Sequence, residues 1–374
     1  MKITKERFLS LDIFRGITVL FMIIVNSLPS EEIAYAPFLH AQWFGFTPTD
    51  LVYPSFLFAI GNSIYFGSVG WKTQPSRQVY GKILKRSVFI FLIGYLMYWF
   101  PFVQYNGRSW HWIPMSGTRI MGVLQRIAVA FLVSSLMIYK LKERFLYIFG
   151  IVLLVGYPFL LFHFGYSGKD SLSLEGNAVL RLDAFVFGEA HLYKGEVIPF
   201  DPEGLLSTLP SIVNVLIGFL AGKYLLENKT NYKKLLKLTA IGFFLVAVGY
   251  LWGYSFPIGK KLWTSSFVML TTGLDILLLL SIVCFCEERN KSKFASFVLV
   301  LGKNPLAIYI FSQLFLTVLY MIRFRGGGLY DVLFSDFFIK LGGKFGCLLQ
   351  SLLYTMLCWL LGFILDKKKI YIKL

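Results

Sequence analysis

Ten stretches of mostly apolar residues, each close to 20 residues long, run through this chain. That pattern limits its fold more than any other feature. A helix rises about 1.5 Å per residue, so about 20 apolar residues cross the hydrocarbon core of a bilayer. The stretches are Leu9–Ser27, Leu51–Val69, Leu84–Phe102, Arg119–Tyr139, Phe145–Phe164, Leu205–Leu226, Leu235–Trp252, Leu262–Phe285, Phe294–Met321 and Phe345–Leu365. They predict an all-α polytopic membrane protein of about ten transmembrane helices. The first stretch is interrupted by Asp12 and Arg15 and is followed by no small-residue cleavage site. It is therefore expected to be a retained helix rather than a signal peptide.

Composition agrees with that class and excludes others. Hydrophobic residues make up 56% of the chain and charged residues 15%. A soluble domain carries about 25% charged residues. The mean hydropathy of +0.66 and the 38 Phe and 21 Tyr exceed what a soluble core absorbs. Disordered, collagenous and disulfide-stapled chains are excluded as well. The four cysteines, Cys284, Cys286, Cys347 and Cys358, sit in or beside apolar runs and read as packing residues.

The net charge of +17 raises the question of nucleic acid, and the placement of the charges answers it. Of 37 basic residues, 23 fall in one alternating set of segments: the N-terminus, 70–86, 140–144, 223–237, 289–293 and the C-terminus. The opposite set holds 10. This is the positive-inside pattern, and it predicts both termini in the cytoplasm. No basic run is interleaved with aromatics in a soluble stretch, so nucleic acid is not an expected partner. The lipid bilayer is. The chain reads as one transmembrane domain, residues 1–374, with the extracytoplasmic segment 165–204 forming a small cap.

Ionisable groups inside a membrane are costly and mark function or pairing. Asp12, Arg15, Val19, Met22 and Asn26 step by three and four and form one stripe of the first helix. The stripe is ionic at its inner end and carries an amide near the outer surface. Asp12 and Arg15 can pair, fixing packing, or the stripe can line a pocket. Arg119 and Arg126 are seven apart and are expected to share a helix face, with Gln125 alongside, and Asp275 could pair with one of them. Without such a pair, they would hold a ligand phosphate or polarise a carbonyl. In the ninth stretch, Gly302-Lys303-Asn304-Pro305 reads as a helix start inside an apolar run: Asn304 at the N-cap, Pro305 at the first helical position. A helix broken there exposes backbone N–H groups beside Lys303, an anion site towards the cytoplasm.

His40 stands in the first outer segment, in HAQWFGFTPTDL, and Asp50 closes that segment. A histidine with a carboxylate nearby can make a general base and its orienter, while Asp50 can also cap the helix that follows. No HExxH or CxxC occurs, so no metal is expected.

RFLSLDIFRGITVLFMIIVN (Arg7–Asn26) and LHAQWFGFTPTDLVYPSFLFAIG (Leu39–Gly61) resemble the transmembrane acyltransferases typified by heparan-alpha-glucosaminide N-acetyltransferase. RIMGVLQRIAVAF (Arg119–Phe131), LGKNPLAIYIF (Leu301–Phe311) and the tail DKKKIYIKL (Asp366–Leu374) are similar to that family too. The resemblance implies an enzyme that moves an acetyl group from cytoplasmic acetyl-CoA to a sugar amine across the membrane. It places the active-site histidine on His40, its motif aspartate on Asp50 and the asparagine ending the first helix on Asn26. The paired arginines fall on Arg119 and Arg126. Joined to the charge reading, it suggests donor contacts at Arg15, Arg119, Gln125, Arg126, Lys303 and Asn304. The expected acceptor is an amino sugar or another glycan, and the expected location is a bacterial inner membrane. N- against O-acetylation, the acyl chain length, His40 as base in a direct transfer against transient acyl carrier in a ping-pong route, and a homodimer stay open. A secondary transporter of a sugar or small anion is the competing reading, since broken helices and buried charges serve both.

Overall fold

The computed structural model describes residues 9–228, 231–288 and 293–372. Of the basic residues used above, Lys2, Lys5, Arg7, Lys229, Arg289, Lys291 and Lys373 lie outside the described residues. The helices are α1 (Leu9–Asn26), α2 (Val52–Ser68), α3 (Ser76–Trp99), α4 (Val123–Lys140), α5 (Glu143–Phe164), α6 (Ala178–Phe187) and α7 (Leu205–Asn228). They continue with α8 (Tyr232–Trp252), α9 (Ser265–Glu288), α10 (Lys293–Lys303), α11 (Pro305–Met321), α12 (Leu329–Asp336) and α13 (Lys344–Lys367). Two short antiparallel pairs complete the described elements: β1 (Val103–Tyr105) with β2 (Trp110–Trp112), and β3 (Arg323–Phe324) with β4 (Gly327–Gly328).

The protein is an all-α polytopic membrane protein. Each expected stretch carries a helix, but not all ten meet the same measure of a span. Seven described helices are long and apolar enough to cross a membrane: α1, α4, α5, α7, α8, α9 and α13. The pair α10 and α11, bent by 82° at the Asn304 break, makes an eighth if it counts as one span. α2 has only 17 residues, and α3 carries Arg77, Lys82, Lys85 and Arg86 in its first half.

Two expected boundaries shift, each for a local reason. The third stretch was expected to run to Phe102, yet α3 stops at Trp99. Pro101 has no N–H with which to continue the helix. The fourth was expected to start at Arg119, yet α4 starts at Val123. Gly122 lies so close under the Tyr98 ring that a β-carbon there would fall 2.3 Å from a ring carbon. The segment carrying Arg119 therefore runs non-helically into α4, and Arg119 and Arg126 do not share one helical face.

The chain divides into two compact units. The first comprises Met1–His40, Thr47–Phe56 and Leu277–Lys373, and the second Ala41–Phe46 and Leu57–Ile276. In lipid, helices gain little from excluding water, so close contact between small residues takes over. In the first unit α1 seats on α10 in that way. A β-carbon on Gly16 would lie 2.1 Å from the Val298 carbonyl oxygen, and one on Gly302 would lie 1.7 Å from that of Asp12. In the second unit α2 meets α7 likewise, Gly61 against Val215 and Gly218 against Phe58. Segment 165–204 belongs to this second unit. Its Leu172, Val179, Leu192 and Phe200 are buried in one apolar cluster with Tyr157 and Leu161 of α5.

Candidate active site

His40 and Asp50 meet in the first unit. The turn Pro48–Leu51 begins after Thr47, and the Thr47 N–H donates to Asp50 Oδ2 at 3.1 Å. That is the local cap expected of Asp50. Its other oxygen, Oδ1, lies 2.8 Å from His40 Nδ1. Thr47 Oγ1 donates to the Leu39 carbonyl at 2.7 Å, and Thr49 Oγ1 to that of Pro37 at 2.9 Å. These bonds tie segment 37–40 to segment 47–50 and hold the ring over the carboxylate. The exposures differ sharply: the His40 side chain is 44% exposed and that of Asp50 0%. A buried carboxylate that accepts from Nδ1 fixes the tautomer and presents Nε2 as the basic nitrogen.

Asn26 is the last residue of α1. It is exposed, and its side chain makes no hydrogen bond among the described residues. Its amide is thus available as a donor.

At the other end of α1, Arg15 Nη1 donates to Asp12 Oδ1 at 3.0 Å, so the two residues pair as their spacing allows. The Asn304 break gives a result that the sequence reading did not contain. Asn304 occupies the N-cap position of α11, with Pro305 next, but its side chain makes no capping bond. Instead the amide grips the C-terminal segment. Nδ2 donates to the Ile370 carbonyl at 2.9 Å, and Oδ1 accepts the Ile372 N–H at 2.9 Å. Lys303 Nζ, expected to face an anion, donates to both oxygens of Asp366 at 2.7 and 2.6 Å. Tyr371 adds a bond to Asp366 at 2.9 Å. The break is therefore closed by the chain's own tail, which carries the exposed Lys367, Lys368 and Lys369 past it.

The remaining expected residues lie in the second unit. Arg119 finds its counter-charges in segment 165–204 rather than at Asp275. Its guanidinium grips Asp201 in a bidentate pair at 2.9 and 2.6 Å and also bonds Glu203. Tyr98 and Tyr193 bracket it, each ring centroid 4.7 Å away. Burial pushes the Asp201 carboxyl up, against the pull of Arg119. For Glu203 burial acts the same way but is outweighed by Arg119, Arg126 and Lys260, which hold it below its ordinary value. Arg126 is fully buried, donates to the Pro202 carbonyl at 2.7 Å and to Ser207, and lies over the Trp263 ring at 4.6 Å. Gln125 is also fully buried, against Gly94 of α3.

The sequence reading missed Thr47, Asp201, Glu203 and Asp366. Thr47 was findable, since T-x-x-D before an apolar run is a capping-box pattern. The acidic three pair across 63 to 84 residues, and no local pattern marks such partners. Among the described residues, no group of three His, Cys, Asp or Glu is placed to hold a metal ion.

Comparison with known proteins converges on one family. The family model described as the catalytic region of heparan-alpha-glucosaminide N-acetyltransferase matches residues 7–251. The chain is 27% identical to the Homo sapiens heparan-alpha-glucosaminide N-acetyltransferase over 371 residues, covering 83% of this chain and 53% of that protein. It is 27% identical to the Mus musculus protein of the same name over 321 residues, covering 70% and 47%. The chain thus spans about half the length of the curated relatives it matches.

Proposed function

The chain belongs to the heparan-alpha-glucosaminide N-acetyltransferase family, and from that membership we propose that it is a transmembrane acetyltransferase. It takes an acetyl group from acetyl-CoA on the cytoplasmic side and transfers it to the amine of a glucosamine-type sugar on the other side. The membrane is the inner membrane of a bacterium. The observation that carries this reading is the His40–Asp50 pair: an exposed imidazole held by a buried, doubly engaged carboxylate.

In this reading His40 takes the proton of the attacking amine. The amine nitrogen forms a bond to the thioester carbonyl carbon, the carbon–sulfur bond breaks, and CoA leaves with the proton returned from His40. Asp50 keeps Nδ1 occupied, so that Nε2 does the transfer. The Asn26 amide donates to the oxyanion that develops at the carbonyl; one such donor is typically worth about 10²–10³ in rate. At the donor end Arg15 and the exposed Lys367–Lys369 run supply positive charge for the phosphates of CoA, while Lys303 and Asn304 hold the tail that carries that run. Arg119, Gln125 and Arg126 have a supporting part. The two arginines direct their bonds to residues 201–207 of their own unit.

The test is direct. Purified protein is incubated with labelled acetyl-CoA and glucosamine, and the product is separated from donor. Labelled N-acetylglucosamine supports the reading, and label appearing as an ester instead makes the acceptor a hydroxyl. Uptake of sugar or anion into vesicles without acetyl transfer would make the protein a transporter.

A further inference from the structure

Asn26 ends α1, and the last turn of a helix leaves carbonyl groups without intrahelical partners. Inside the first unit one of those carbonyls, and another just past the helix end, accept from side chains at the far end of the sequence. Ser351 Oγ, on α13, donates to the Ile24 carbonyl at 2.6 Å and lies 2.9 Å from Ser27 Oγ. Ser27 Oγ donates to the Ile23 carbonyl at 2.7 Å. Tyr330 OH, on α12, donates to the Ser27 carbonyl at 2.6 Å. Three residues further on, Cys347 Sγ approaches the Ser30 carbonyl at 3.4 Å. The residues on both sides of Asn26 are fixed, while Asn26 itself stays exposed.

Tyr330 is locked as firmly as the backbone it holds. It is 3% exposed, and its ring stands edge-to-face against Tyr354, with centroids 5.8 Å apart. The Gln350 side chain donates to its carbonyl at 2.8 Å. Residues 329–351 also lie beyond the part of the chain matched by the family model, which ends at 251.

We propose that Tyr330 and Ser351 are positioning residues for the acetyl transfer: they fix the end of α1 so that the Asn26 amide points at the reacting carbonyl. This rests on Asn26 acting as the oxyanion donor. An oxyanion donor works because it is aimed beforehand, and a misplacement of about 1 Å can cost about 10²-fold. A backbone whose carbonyls bond to rigid side chains supplies that aim, whereas carbonyls left to water would not.

The experiment is a double-mutant cycle on purified protein in lipid nanodiscs, reading kcat for glucosamine acetylation, acetyl-CoA affinity and thermal midpoint. Asn26→Ala should lower kcat about 10²-fold or more. Tyr330→Phe keeps the ring and removes the hydroxyl, and should lower kcat about 5- to 20-fold. Its acetyl-CoA affinity should stay within twofold of wild type. In the Asn26→Ala background, Tyr330→Phe should have no further effect on kcat, because the group it aims is gone. Ser351→Ala should behave as Tyr330→Phe does, and replaces it if the tyrosine variant fails to fold. Wild-type kcat in a folded Tyr330→Phe or Ser351→Ala protein overturns the proposal and leaves Asn26 in place. Losses that multiply fully with that of Asn26→Ala overturn it too, since a purely structural effect would act on either background. Wild-type kcat in Asn26→Ala removes Asn26 from the mechanism, and the positioning role goes with it.

Discussion

Asp50 divides its carboxylate between two residues: Oδ1 meets His40 Nδ1 at 2.8 Å, and Oδ2 accepts the Thr47 N–H at 3.1 Å. The same side chain thus starts a helical turn and orients an imidazole. The two roles can be separated by mutation. His40→Ala should lower acetyl transfer by about 10²–10⁴-fold, the range for losing a general base. Folding and acetyl-CoA binding should be nearly unchanged, since the ring is 44% exposed and sits in a surface segment. Asp50→Asn should cost both activity and some stability. Single-turnover transfer with a parallel melting curve checks both, and wild-type transfer in a folded His40→Ala protein would remove His40 from the reaction.

The donor end gives a second prediction. Lys303→Ala and Asn304→Ala each release the tail, one by removing the Asp366 pair and the other by removing the bonds to Ile370 and Ile372. Either should raise KM for acetyl-CoA about 10-fold or more, the loss of a hydrogen bond to charge or a pair of neutral ones. kcat should change less. The wild-type KM should also rise with salt, because phosphate contacts are screened. Unchanged KM in both variants would place the nucleotide elsewhere.

Orientation is testable without any substrate. The charge pattern predicts that segment 28–50 lies outside the cell membrane. Ala36 is exposed in that segment. A cysteine placed there by Ala36→Cys should react with a membrane-impermeant thiol reagent in intact spheroplasts. Labelling that appears only after lysis would reverse the topology and end the vectorial scheme.

Segment 165–204 yields a pH prediction through Asp183. This residue of α6 is fully buried, and its Oδ1 accepts the Leu205 N–H at the start of α7 at 2.9 Å. Burial pushes its carboxyl up from 3.8 to about 7; Asp201 adds to the rise, and the Leu205 N–H and Arg126 oppose it. Between those two values the folded protein holds a proton that the unfolded chain has released. Stability contributed by this group therefore falls as pH rises through that window and is level above about 7. Asp183→Asn mimics the neutral acid and should remove this component. From pH 5 to 8, wild type should lose on the order of 1–3 kcal/mol relative to the variant. Parallel thermal melts at the two pH values check this, and equal pH dependence in both proteins would refute it.

How much of this could be read from residues alone depends on distance along the chain. Spans were legible because a 20-residue apolar run must be a helix in lipid, where every backbone group needs a partner. The His40–Asp50 pair was legible because both residues sit within one short turn-rich segment. The break at Asn304 was legible from Pro305. What closes it was not, because the bonds from Asn304 and Lys303 reach 63 to 68 residues forward. The partners of Arg119 were not legible for the same reason: its counter-charges are 82 and 84 residues away, in the segment read as a small cap. Reading Arg119 and Arg126 as one helical face failed because Gly122 packs under Tyr98 and delays the helix.

The seating of α1 on α10 has one more consequence. Gly16 and Gly302 leave no room for even a methyl group between the two backbones. A helix pressed that closely against its neighbour cannot slide or roll by itself. Arg15 and Asn26 are eleven residues apart on it, about 16 Å along the axis. They behave as two marks on one ruler. The distance between the Asp12–Arg15 pair and the Asn26 amide is therefore held by one seated helix, with no moving part between them.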